Sequence, residues 1–318
     1  MHEKTIHIRD DAEARQLFGK HDEILKKIEK AYGITTSFRN GDLKIMAENG
    51  PALDEAEKVL GGFLEVIRNG GHFSARDMDY AVKNVELREG FHDIYLDRIK
   101  VYSERVHITP RSEGQKKYID AIRKNDIVFS IGPAGTGKTY LAMAMAVNAL
   151  KKGLVSRIIL TRPAVEAGEN LGFLPGDIFA KVSPYLRPLY DALLDMADPR
   201  MVKDFIDRGI VEVAPLAFMR GRTLNDSFII MDEAQNSTPE QMQMFLTRLG
   251  FDSKTVITGD VTQSDLPKGK ESGLLHARSL LEGIEGIVFV AMSGSDVVRH
   301  RLVQKIIEAY HRGAEKTK

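Results

Sequence analysis

Ser130 to Tyr140 reads SIGPAGTGKTY; it follows the apolar run Asp126-Ile127-Val128-Phe129 and leads into a segment of helix-forming composition, Leu141 to Leu150. Within it Gly132, Gly137, Lys138 and Thr139 satisfy the pattern G-x-x-x-x-G-K-S/T of a phosphate-binding loop between a strand and a helix. Small residues let successive backbone N–H groups wrap an anion, and the following helix points its positive end at the same place. The pattern assigns Gly132, Pro133, Ala134, Gly135, Thr136, Gly137, Lys138, Thr139 and Tyr140 to a nucleotide cradle. Lys138 would reach the terminal phosphates, and Thr139 would offer its hydroxyl to Mg²⁺.

Working outward, Phe228-Ile229-Ile230-Met231-Asp232-Glu233 is an apolar run ending in two acids, the form of a buried parallel strand that delivers carboxylates at its C-terminal end. Asp232 suits Mg²⁺, directly or through water, and Glu233 suits orienting and deprotonating an attacking water. Val256-Ile257-Thr258-Gly259-Asp260 is a further strand of this kind, leading to Gln263 in G-D-x-x-Q. The Asp260 carboxylate and Gln263 amide are placed to contact the γ-phosphate or its water and so to sense hydrolysis. Arg157 to Thr161 and Ile287 to Ala291 supply more strands, and the alternation predicts a parallel sheet with helices on both faces. Upstream, Gln115 opens a helix carrying Tyr118, Ile119 and Ile122. Its amide can donate and accept together, as adenine's edge requires; the plainer alternative is a solvated helix residue.

The whole chain has 318 residues, 43% hydrophobic and 28% charged, a globular composition long enough for two domains. It has no cysteine, which excludes disulfides and thiolate metal sites and fits a reducing compartment. No apolar run approaches the roughly 20 residues that span a bilayer, and MHEKTIHIRDD lacks the apolar core of a signal peptide, so a soluble cytoplasmic protein is expected, with no membrane partner. Basic and acidic residues balance at 45 each, so a nucleic-acid site would have to be a local patch.

Residues 1–105 read as a separate small module with a connector, and 106–318 as the nucleotide-binding core. Thr5 to Arg9 alternates like a strand, Ala12 to Phe18 follows Asp10-Asp11 as a helix, and Ile24, Leu25, Ile28 and Tyr32 mark a second helix ending at Gly33. Ile34 to Phe38 and Leu43 to Ala47 flank Asn40-Gly41 as a hairpin, and Pro51 opens a longer helix. Ser74 to Val85 reads as one more helix, and Asp97 to Ile108 as a strand or connector. The order β-α-α-β-β-α resembles the KH RNA-binding domain, whose GXXG loop clamps a nucleic-acid backbone. Here the corner is Gly19-Lys20-His21-Asp22, with an acid in place of the second glycine. Two uses of this module are open, packing or a weak RNA site lined by Lys20, His21 and Lys26.

GPAGTGKTYLA (132–142), TRPAVEAGENLGFLPGD (161–177), PYLRPLYDAL (184–193), APLAFMRGRTL (214–224), IIMDEAQN (229–236), FLTRLG (245–250), TGDVTQSDLP (258–267) and DVVRHRLV (296–303) together resemble the PhoH-like ATPases. These are P-loop proteins related to superfamily 1 helicase cores, and the likeness runs from about Thr109 to Tyr310. It extends to the family's shorter branch, without a PIN nuclease domain, so nuclease activity is not implied. The second lobe of a processive monomeric helicase is not found either, which weakens a simple unwinding role. The resemblance implies ATP with Mg²⁺, a RecA-like core and ring-like self-assembly, a hexamer being expected. It further implies RNA metabolism and ribosomal RNA maturation beside a metal-dependent endoribonuclease.

Among the arginines, Arg162 stands in T-R-P-A, where helicase-like cores touch nucleic acid, and Arg220 and Arg222 flank Gly221. Arg299, with Arg301 beside it, is the candidate finger toward the γ-phosphate of its own or a neighbouring subunit. Gly168 to Pro175 reads as a loop for core packing, RNA or a subunit contact. Three functions remain in contention: an RNA-associated ATPase, a nucleotide-switched assembly module, and a small-molecule kinase. The water-positioning acid argues against the kinase.

Overall fold

The computed structural model describes residues 2–70, 97–104, 106, 108–163, 178–267, 269–298, 302, 303, 306 and 310, with side chains of 178–185 left aside. The expected helix over Ser74 to Val85, the loop Gly168 to Pro175, and Arg299 and Arg301 lie outside the described residues. The chain divides into two compact units, Met1–Arg98 with Thr109–Glu113, and Ile99–Ile108 with Gly114–Lys318.

In the first unit the order is β1 (His2–His7), α1 (Asp11–Phe18), α2 (Glu23–Tyr32), β2 (Thr35–Arg39), β3 (Asp42–Ala47) and α3 (Gly50–Arg68). β3 pairs antiparallel with both β1 and β2, giving a three-stranded sheet in the order β1-β3-β2. Asp10 caps α1 by accepting from Glu13 N, as the paired acids predict. The β2–β3 turn takes Asn40 and Gly41 through φ of 54° and 82°, the two left-handed positions a tight hairpin needs. Leu43 and Ile45 on one face of β3 are buried with Leu17, Ile28 and Phe63 from the helices. At the α1–α2 corner His21 and Asp22 are both left-handed, and Lys26 Nζ donates to His21 O at 2.9 Å.

In the second unit the elements are α4 (Glu113–Lys124), β4 (Ile127–Ile131), α5 (Lys138–Lys151), β5 (Arg157–Arg162), α6 (Ile178–Met196), α7 (Pro199–Asp207), β6 (Val211–Pro215), β7 (Ser227–Met231), α8 (Pro239–Leu246), β8 (Lys254–Gly259), α9 (Gly273–Leu281) and β9 (Ile287–Ala291). The six strands are all parallel, in the order β6-β5-β7-β8-β4-β9. β4, β7 and most of β8 are buried on both faces, which is why they read as unbroken apolar runs. Val128, Leu160, Ile230 and Val256 pack with Tyr118, Met143 and Leu189 of α4, α5 and α6. The alternate residues Phe129, Ile159, Ile229 and Ile257 pack with Met242, Phe245 and Leu274 of α8 and α9. The neighbours β4 and β8 thus send their following helices to opposite faces of the sheet. That divergence opens a crevice at their C-terminal ends, the place where ligands bind in open parallel sheets.

Ile99 to Ile108 packs with this second unit. Ile99 and Ile108 form an antiparallel bridge, and Ile99, Val101 and Ile108 are buried in its core. Asn148 Nδ2 and Lys151 Nζ of α5 donate to Lys100 O and Val101 O, both at 2.6 Å. The boundary expected at 105/106 therefore falls inside a segment whose β-branched residues are drawn into the core. Among the described residues no helix is long and apolar enough to cross a membrane.

Candidate nucleotide site

The loop between β4 and α5 owes its shape to glycine at two points. Gly137 has φ +82°, and a Cβ on Gly132 would lie 2.3 Å from Met292 O. Lys138, nearly buried, turns its ammonium back over the loop, donating to Gly132 O at 2.6 Å and Pro133 O at 2.8 Å. Thr136 Oγ1 donates to Pro133 O, so the loop is braced before any anion arrives. Beneath it the fully buried Tyr118 donates to Lys138 O at 3.1 Å, and burial pushes its phenol far above the ordinary range. Gln115 is buried rather than solvated, and its amide nitrogen donates to Thr136 O at 3.0 Å.

A cavity of about 270 Å³ opens above the loop, lined by Ala134, Gly135, Gly137, Lys138, Thr139, Tyr140, Asp232, Glu233, Gly259, Asp260 and Gln263. The structure therefore brings together residues from all three motifs picked out in the sequence. Thr139 Oγ1 donates to Asp232 Oδ1 at 2.7 Å, and Thr258 Oγ1 donates to the same oxygen at 2.6 Å. A hydroxyl that gives its proton away keeps its lone pairs for a cation. Two oxygens at this separation suit neighbouring positions on octahedral Mg²⁺, which lie about 2.9 Å apart. Mg²⁺ typically combines one or two carboxylates with substrate phosphates, and the Asp232 carboxylate with the Thr139 hydroxyl is a donor set of that kind.

Glu233 follows directly, in the left-handed region at φ 52°, a conformation that costs a non-glycine residue on the order of 1 kcal/mol. One carboxylate oxygen lies 3.4 Å from Arg162 Nη2; the other accepts from Gln235 Nε2 at 2.5 Å. Gln235, almost wholly buried, also donates to Gln263 O and accepts from Asp260 N at 2.9 Å. The two acidic motifs are thus stitched together by one amide.

Asp260 reaches back to the phosphate loop, where Ala134 N donates to Oδ2 at 3.2 Å beside Gln263 Nε2 at 2.7 Å. Burial alone would raise its carboxyl, but the hydrogen bonds from Thr262, the Lys138 charge and the Ala134 N–H outweigh it and hold the group below the usual carboxylate range. Sequence reasoning missed Gln235, Thr258 and the Arg162–Glu233 pair. Thr258 did carry a signal, since a hydroxyl inside an apolar strand must find a partner when buried. Of the other arginines, Arg222 forms a two-pronged ion pair with Glu212 at 2.6 and 2.7 Å, and Arg220 is exposed.

A parallel sheet with this loop, this ammonium and this hydroxyl–carboxylate pair around one cavity defines a P-loop nucleotide-binding core of the ATPase type. A sequence model described as PhoH-like protein matches residues 107–311. The chain is 51% identical over 305 residues to the PhoH-like protein of Bacillus subtilis (strain 168), covering 95% of each. It is 50% identical over 301 residues to the PhoH-like protein of Mycobacterium tuberculosis (strain H37Rv), covering 94% of this chain and 85% of that one. With Protein PhoH of Escherichia coli (strain K12) it shares 45% over 205 residues, 64% of this chain and 58% of the relative. The chain belongs to the PhoH-like family.

Proposed function

We propose that this protein hydrolyses ATP with Mg²⁺ and applies the cycle to RNA in the cytoplasm. The observation that carries the hydrolytic part is Glu233, which lines the same cavity as Lys138 and the Thr139–Asp232 pair. Mg²⁺, when bound, would supply positive charge that neutralises the charge developing on the phosphates. Thr139 and Asp232 would hold it, Lys138 would exchange its two loop carbonyls for phosphate oxygens, and Glu233 would orient the water and take its proton. Gln115 braces the loop through its amide nitrogen, and its amide oxygen is proposed as the adenine contact. Asp260 and Gln263, tied to both the loop and Gln235, would move when the γ-phosphate leaves. Arg299 is proposed as the finger.

RNA as the target is supported by the β-α-α-β-β-α order of the first unit and its exposed corner bearing Lys20 and His21. The proposal extends to a ring-like homo-oligomer, a hexamer, and to a metal-dependent endoribonuclease as partner in ribosomal RNA maturation. The link between Asp260 and Ala134 N favours one alternative, a nucleotide-switched assembly module that unwinds nothing. Steady-state hydrolysis with and without single-stranded RNA at fixed salt separates the two. The RNA reading predicts stimulation that vanishes in Lys138→Ala and Glu233→Gln; turnover indifferent to RNA favours the switched module.

A further inference from the structure

Two donors hold the Glu233 carboxylate, and they differ in how easily they can let go. Gln235 is fixed: it is almost wholly buried, and its amide is engaged at both ends by Asp260 N and Gln263 O. Arg162 is the last residue of β5, at the sheet's C-terminal end, with a side chain 23% exposed. Its approach of 3.4 Å is also looser than the 2.6 Å of Arg68–Glu13 and Arg222–Glu212. Yet a general base needs a carboxylate oxygen free to receive the water's proton, and here both are engaged.

We propose that the Arg162–Glu233 ion pair is a latch that withholds the water-activating carboxylate, and that the phosphodiester backbone of single-stranded RNA opens it by taking the guanidinium. This rests on the reading of Glu233 and of RNA given above. The planar fork of an arginine matches phosphate as well as carboxylate, so the exchange replaces one charge-assisted contact by another. A looser, partly exposed pair is the kind that such an exchange can break, since exposed pairs are weak. The fixed Gln235 would then keep Glu233 on station while its other oxygen turns to the water. Arg162 is thereby a positioning residue that acts through Glu233.

The test measures Mg-ATP turnover at fixed salt, with and without oligouridylate, for the wild type, Arg162→Ala, Arg162→Gln and Arg162→Lys, beside affinity for a fluorescent ATP analogue. The latch predicts basal turnover about two- to fivefold higher in the Ala and Gln variants. It also predicts little further stimulation by RNA in those two, unchanged nucleotide affinity, and a basal rate in Arg162→Lys between those of the wild type and the neutral variants, since lysine keeps the charge and loses the planar fork. Basal turnover that is unchanged or lower in both neutral variants, with nucleotide affinity intact, overturns the latch whether or not RNA stimulates the wild type. Faster neutral variants beside a wild type indifferent to RNA uphold the latch and overturn RNA as its opener. Stimulation by polyaspartate and not by oligouridylate would likewise reassign the opener to an acidic protein.

Discussion

Two glutamate–arginine pairs in this chain have the same chemistry and opposite characters. In the first unit Glu13 meets Arg68 through two contacts, at 2.6 and 3.1 Å, and accepts from Arg9 N at 2.6 Å, while the same guanidinium donates to His7 O. The Glu13 side chain is 5% exposed. In the second unit Glu233 meets Arg162 at 3.4 Å, with 36% of the Glu233 side chain exposed and its backbone in the left-handed region. The first pair has every oxygen satisfied and ties β1, α1 and α3 together. The second pair is loose, strained and borders a cavity. A closed polar network stabilises a fold, and an incompletely closed one at a strand end is available for chemistry.

Breaking each pair should therefore give unlike results. The largest effect is expected from Glu233→Gln, which should slow hydrolysis by about 10²- to 10⁴-fold. ATP affinity and thermal stability should stay at wild-type values, as checked by phosphate release, equilibrium binding and melting. Glu13→Gln should leave hydrolysis in place and destabilise the first unit by about 1 kcal/mol, because the buried side chain at position 13 gives up its charge-assisted hydrogen bonds to the partly exposed Arg68. Urea unfolding followed by amide exchange within residues 2–70 would report it. A Glu13→Gln variant as stable as the wild type would remove the distinction drawn between the pairs.

The smallest effect is one of pH. The hydrogen bonds from Arg68 hold the Glu13 carboxyl below its ordinary value, against burial, which would raise it. A carboxyl depressed in the folded state contributes stability that is complete above its unfolded value, about 4.3, and is lost as pH falls through the lower folded value. The stability difference between wild type and Glu13→Gln should accordingly shrink below pH 4.3 or so. A difference that widens on acidification would contradict this sign.

The parts of this arrangement that were legible in the sequence are those whose chemistry is contiguous. The phosphate loop, the D-E pair and G-D-x-x-Q each sit within a few residues at the end of an apolar run, so strand, turn and functional group are read together. The hairpin at Asn40-Gly41 and the cap at Asp10 are local for the same reason. What the sequence hid depends on which strands lie side by side. Arg162 meets Glu233 only because β5 and β7 are neighbours, and Gln235 meets Asp260 only because β7 and β8 are. The placement of Ile99 to Ile108 was hidden too, since alternating β-branched residues suit either unit until α5 provides the apolar surface and the donors of Asn148 and Lys151.

Whether this core is a Mg²⁺-dependent ATPase is decided by phosphate release from ATP by the purified wild-type chain and by Lys138→Ala, with excess Mg²⁺ and with chelator. Steady turnover that requires Mg²⁺ and falls to background in the variant is the expected result. Turnover that survives the loss of Lys138, or phosphate passed to an added small acceptor with none released to water, would contradict it.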